Sequence, residues 1–176
     1  MMDSLPPDAS DPDRRQGLGS LARFEGPTAG SHSVHSWSAI FAEVRVDEDL
    51  GMVRVARLVG AFDCGRVLNP TTARSQLMGG MIMGVGLACL EGARVDRRNA
   101  AIVNTNVADY LIPVNADIPS VEVLFVGEPD PHANPLGSKP IGELGITGTI
   151  AAIANAVYHA TGRRVRDLPI RLEELL

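Results

Sequence analysis

The stretch SQLMGGMIMGVG, Ser75 to Gly86, constrains the fold of this chain more than any other. It is apolar and uncharged, yet it sets Gly79, Gly80, Gly84 and Gly86 inside what the flanking pattern predicts to be a helix. Each interior glycine costs a helix up to about 1 kcal/mol against alanine. Such a helix is tolerated where something approaches its backbone too closely for a Cβ. Two kinds of neighbour satisfy that requirement, a packed helix or strand and a bound cofactor. No Lys-Ser/Thr ending follows the glycines, so a phosphate loop is not indicated.

The helix is predicted to start at Pro70, whose missing N–H costs nothing in a first turn, and to run to Leu90 or Glu91. Its apolar run from Leu77 to Leu90 is shorter than the roughly 20 residues a membrane span needs, so a buried helix in a soluble fold is expected, with Met78, Met81 and Met83 in the core. Before it, AIFAEVRVD places Phe41, Glu43 and Arg45 on one face and Ala42, Val44 and Val46 on the other. That alternation, the turn EDLG and the run MVRVARLVGAF predict two antiparallel strands. SVEVLFV, Ser120 to Val126, alternates in the same way, whereas the preceding stretch from Ile102 to Pro119 reads as irregular. A long Pro- and Gly-rich loop then leads to Glu143, and loops of that length in compact domains are often functional. Ile146, Ile150, Ile153 and Val157 recur at helical spacing, with Thr147 able to cap that helix and Gly162 suited to its left-handed end. The tail from Val165 is expected to pack back. The class is α+β, a mixed sheet with a glycine-rich helix and a C-terminal helix.

The 176 residues are 45% hydrophobic and 21% charged, values of a globular domain. Residues 1–33, rich in Pro, Asp, Ser and Gly, read as a flexible leader without an export signal, and 34–176 as the folded unit. A net charge of −5 argues against nucleic acid as a partner, because phosphate binding needs clustered Lys and Arg. Cys64 and Cys89 form no CxxC pair, and the four histidines show no metal-ligand spacing, so no protein-ligated metal is expected. Buried thiols are the expectation for both cysteines.

Glu143 is the lone carboxylate in GSKPIGELG. Close to a helix N-terminus it serves either as a capping carboxylate or as a general base, the latter if its surroundings bring its pKa toward neutrality. Gln76, one turn ahead of Gly79 and Gly80, offers an amide either to a ligand or to the backbone at the surface.

FAEVRVD (Phe41 to Asp47), GAFDCGRVLNPTTARSQLMGGMIMG (Gly60 to Gly84), ADYLIPVNADIP (Ala108 to Pro119) and GSKPIGELG (Gly137 to Gly145) occur in one order and spacing. Together they resemble the C-terminal portion of the molybdopterin-binding subunit of the xanthine dehydrogenase and aldehyde oxidase family. DYLIPVNADIP and EPDPHANPLG look most like the bacterial aldehyde-oxidising branch. The resemblance runs from about Val34 to the C-terminus, and the family's subunit is several times longer.

The resemblance implies that the fold is part of a molybdenum-cofactor-binding domain. It implies that Glu143 removes a proton from a molybdenum-bound hydroxyl, which attacks an aldehyde or N-heterocycle while hydride passes to a sulfido ligand. A Gln-x-x-Gly-Gly pattern maps to Gln76, Gly79 and Gly80, and a Lys-x-x-Gly-Glu pattern to Lys139, Gly142 and Glu143. These residues are therefore expected to face molybdopterin, in its cytosine dinucleotide form, with the metal held by the pterin dithiolene. Iron-sulfur and FAD centres are expected on partner subunits, and the remaining part of the molybdenum subunit as a further partner. The expected compartment is the cytoplasm, with the periplasm reached only by export with a partner. Pro140 and Ser38 stand where the family usually has glycine, and proline removes an N–H that could bond the cofactor. The alternative is a catalytically silent remnant, or an interaction piece, that binds no cofactor alone.

Overall fold

A computed structural model of the chain describes residues 31–176. The predicted leader, residues 1–33, therefore lies almost wholly outside the described residues. Strand β1 (Trp37–Asp47) turns through 48–51 into β2 (Met52–Asp63), as the alternation predicted. The Asp47 carboxylate accepts the amides of Asp49 and Leu50 at 3.1 and 3.0 Å, and Gly51 supplies the positive φ (65°) that closes the turn. Helix α1 (Pro70–Cys89) follows, then a short hairpin of β3 (Val95–Asp96) and β4 (Ala101–Ile102), and then β5 (Ser120–Val126). The chain closes with a helical turn α2 (Leu144–Thr147), helix α3 (Thr149–Thr161) and a 3-10 turn at Leu172–Glu174.

The main sheet has the order β1-β2-β5, antiparallel between β1 and β2 and parallel between β2 and β5. Both helices pack on one face, α3 over β1 and α1 against β5. The register of β2 shifts midway: Val44 pairs with Val55 but Glu43 with Arg57, leaving Ala56 unmatched. This bulge carries the inward phase from Val53 and Val55 to Leu58, Gly60 and Phe62. Leu58 and Phe62 then meet Leu77 and Met81 of α1, Val123 of β5, and Ile153 and Val157 of α3 in one fully buried cluster.

Asn69 caps α1 by accepting the amides of Thr71 and Thr72 (3.1 and 3.2 Å), with Pro70 at the first helical position. Ala73, Leu77, Met81, Val85 and Ala88 form its buried stripe. Met83 departs from the expectation of a core residue. It falls outside that stripe and is 59% exposed. Thr147 does not cap the last helix either. Gly148 occupies the cap position of α3, and the Thr147 hydroxyl instead donates to the Glu143 carbonyl at 2.9 Å. Gly162 ends α3 in the left-handed conformation, and the tail packs back through Ile170, whose amide donates to Ala88 O at 2.7 Å.

Candidate active site

The long loop after β5 returns to the sheet before it reaches Glu143. Its end pairs with the residues just beyond β2: Gly65 bridges Ser138, the amides of Arg66 and Asp130 both donate to Gly137 O, and Lys139 N donates to Cys64 O. The loop then passes over α1, where the Gln76 side-chain amide donates to Gly142 O at 2.8 Å. Next, Gly145 lies so close to α1 that a Cβ on it would sit 2.4 Å from Leu77 O.

These contacts resolve the glycine helix into two kinds of position. A Cβ on Gly80 would come within 3.0 Å of the Gly145 and Ile146 backbone, and one on Gly84 within 2.6 Å of the Thr149 side chain. Gly86 likewise makes room for Glu91 and Pro113. Close packing therefore accounts for three of the four glycines. Gly79 is different: a Cβ there meets nothing within 4 Å, and the same is true of Gly142 across the gap.

Between them lies an open cleft of about 600 Å3 lined by Thr72, Ser75, Gln76, Gly79, Gly80, Met83, Gly142, Glu143 and Ile146. Of the residues singled out from sequence, Gln76, Gly79, Gly80, Gly142 and Glu143 come together here. Of the other four, Ile146 follows Glu143 by three positions, and Thr72, Ser75 and Met83 of α1 were not anticipated as lining residues either. They sit seven and four positions before Gly79 and four after it, so projecting the helix around Gly79 would have found them.

Glu143 is exposed at the cleft. Its backbone occupies the position before α2, but its side chain makes no cap hydrogen bond. Among the described residues its carboxylate has no hydrogen-bond or ion-pair partner, so the capping alternative is not realised. Lys139 is placed differently from the other five. Its side chain is 6% exposed, and its ammonium donates to Asp63 Oδ2 at 2.7 Å, with Asp130 Oδ2 at 4.0 Å. That hydrogen bond from Lys139 is the chief cause holding the Asp63 carboxyl below its ordinary range. Lys139 also lines a second cavity of about 420 Å3, whose wall shares Thr72 and Gln76 with the first and includes Cys64 and Arg66.

Cys64 is buried, and burial raises its thiol pKa; Cys89 is half-buried and pushed up to about 11 by the same cause. Cys64 thus meets the expectation of a buried thiol, whereas Cys89, the last residue of α1, is only partly buried. Among the described residues no group of three or more His, Cys, Asp or Glu could hold a metal ion, and no helix is long and apolar enough to cross a membrane. Pro140 brings no N–H to the loop, but its carbonyl accepts the Ser36 hydroxyl at 2.5 Å, fastening the approach to Glu143 to the segment before β1.

The molybdopterin cofactor-binding domain family matches residues 16–119, beginning within the stretch read as a leader. The molybdenum-binding subunit of an aldehyde oxidoreductase from Escherichia coli (strain K12) is 48% identical over 151 residues, which are 86% of this chain and 21% of the relative. The xanthine dehydrogenase molybdenum-binding subunit of Escherichia coli O157:H7 is 36% identical over 80% of this chain and 18% of its own length. Among solved structures, the aldehyde oxidoreductase from Desulfovibrio desulfuricans ATCC 27774 superposes with a TM-score of 0.72 at 31% identity, covering 80% of this chain and 15% of that one. The chain thus spans about a fifth of the length of the curated relatives it matches. With the motif order, the fold and these matches in agreement, the chain belongs to the family of molybdopterin cofactor-binding domains of aldehyde oxidoreductase and xanthine dehydrogenase molybdenum subunits.

Proposed function

We propose that this chain is the C-terminal part of the molybdenum subunit of a hydroxylase that oxidises aldehydes or N-heterocycles, and that Glu143 is its base. The observation that carries the reading is the Glu143 carboxylate, without a partner among the described residues, at a cleft whose walls at Gly79 and Gly142 are bare backbone. A cleft with no side chain at those two points admits a flat group up to the main chain, which is the fit a pterin requires.

Gln76, Gly79, Gly80 and Gly142 would hold the molybdopterin cofactor, in the cytosine dinucleotide form. Gly80 takes part through its backbone, since its Cβ position is already filled by α2. When bound, the cofactor supplies the two-electron redox centre. Gln76 uses its amide N–H to hold Gly142 O, which fixes the residue next to the base and leaves the Gln76 amide oxygen as an acceptor. Glu143 receives a proton on a carboxylate oxygen, a role that needs an ionised, accessible carboxylate within reach of the proton. Lys139 fastens the loop through Asp63 and contributes to the site through the position it gives the chain.

The rest of the molybdenum subunit and subunits carrying iron-sulfur and FAD centres complete the assembly, which is cytoplasmic unless exported with a partner. The test is the molybdenum and pterin content of the chain purified from its host with whatever co-purifies, alongside Glu143→Gln. Bound molybdenum, with aldehyde-dependent dye reduction lowered by a factor on the order of 100 to 10,000 in the variant, is the expected result. Absence of both metal and partner would instead assign the silent remnant.

A further inference from the structure

We propose that Asp63 is a positioning residue for Glu143, acting through Lys139; this rests on the reading of Glu143 as the base. Asp63 closes β2, the central strand of the sheet, and it is the point where three segments meet. Its Oδ2 accepts the Lys139 ammonium at 2.7 Å and its Oδ1 accepts the Gly65 amide at 3.1 Å. Its carboxylate also fills the space where Gly127, at the end of β5, would carry a Cβ: the nearest approach would be 2.4 Å, at φ 90°. Asp130, near the start of the long loop, stands 4.0 Å from the same ammonium. The pair, with the Lys139 side chain almost wholly buried, therefore ties the end of β2 to both ends of the loop.

From Lys139 to Glu143 is four residues, and that path is held by the Lys139 amide on Cys64 O, by Ser36 on Pro140 O and by the Gln76 bond to Gly142 O, with Ile141 packed against the core. The loop is otherwise rich in Pro and Gly and carries no regular structure of its own. Removing the Asp63 charge leaves a nearly buried ammonium without its close partner. The cheapest relief is for Lys139 to swing toward solvent, drawing the segment that carries Glu143 with it. Among the described residues Asp63 hydrogen-bonds Lys139 and the Gly65 amide, neither of which lines the cleft, so its effect is on placement.

Amide hydrogen exchange of the full 176-residue chain tests this without any cofactor. In Asp63→Asn, the amides of Lys139, Leu144 and Ile146 are expected to exchange about tenfold faster, while those of Ile153 and Val157 in α3 keep their parent rates. Unchanged rates at Lys139 and Leu144, or an equal rise in α3, would overturn the proposal. Asp63→Glu, which keeps the charge but displaces it by one methylene, is the second variant should Asn prevent folding. It is expected to give a smaller rise confined to the same amides, and no rise or a general one counts against the idea. In the assembled complex, Asp63→Asn is expected to lower kcat by about ten- to a hundredfold with KM unchanged; a raised KM with normal kcat would also overturn it. A parent complex without activity defeats the reading of Glu143, and the exchange rates still decide whether Asp63 holds the loop.

Discussion

Gly79 and Gly84 stand five positions apart on one helix and have opposite surroundings, open cleft at the first and Thr149 at the second. Helix propensity favours alanine at both. At Gly79 nothing opposes it, so Gly79→Ala is expected to raise the urea unfolding free energy by up to about 1 kcal/mol while reducing molybdenum retention in the complex, because the methyl enters the cleft. At Gly84 the added carbon would lie 2.6 Å from the Thr149 Cβ and Cγ2. Gly84→Ala is therefore expected to destabilise by about 1–3 kcal/mol, as overpacking does. Urea melts of the two variants side by side check both, and equal shifts of one sign would refute the division of the glycines into packing and cleft positions.

At the level of elements, the N-terminus of α1 sets the direction of the wall that carries Gln76 and Gly79. Asn69→Ala removes the acceptor for the Thr71 and Thr72 amides and is expected to cost about 1 kcal/mol in the same melts. An unchanged midpoint would mean that water replaces the cap at no cost. The strands and this helix were legible in the sequence because their periods are set by burial on one face, as in Ala42, Val44 and Val46. The bulge at Ala56 was not, since one unmatched residue leaves no trace in composition. Thr147 misled because a hydroxyl ahead of an apolar run looks like a cap, whereas the chain first makes a separate turn at Leu144–Thr147. The site was legible in part. Glu143 and Gln76 stood out as polar residues in glycine surroundings, but the Lys139 ion pair depends on Asp63, 76 residues earlier, and long-range pairing of that kind has no local signal.

For the molecule as a whole, the described residues leave the face of the sheet away from the helices open. Trp37 and Phe41 on β1 are 64% and 66% exposed, and Leu124 and Val126 on β5 lie uncovered on the same side. A contiguous apolar face of this kind drives association. The sedimentation coefficient of the chain alone is expected to rise with concentration, and Phe41→Lys to reduce that rise. A sharp monomer at every concentration would contradict it. The seam between α1 and the turn after Glu143 has a different consequence, for the way such a sequence can drift. A Cβ on Gly145 would collide with Leu77 O, a main-chain atom that no substitution elsewhere can remove. A change at Gly145 therefore has no compensating change on the other side. Variation must accumulate around this contact, and related chains that have lost the glycine are expected to have lost the adjoining cleft with it.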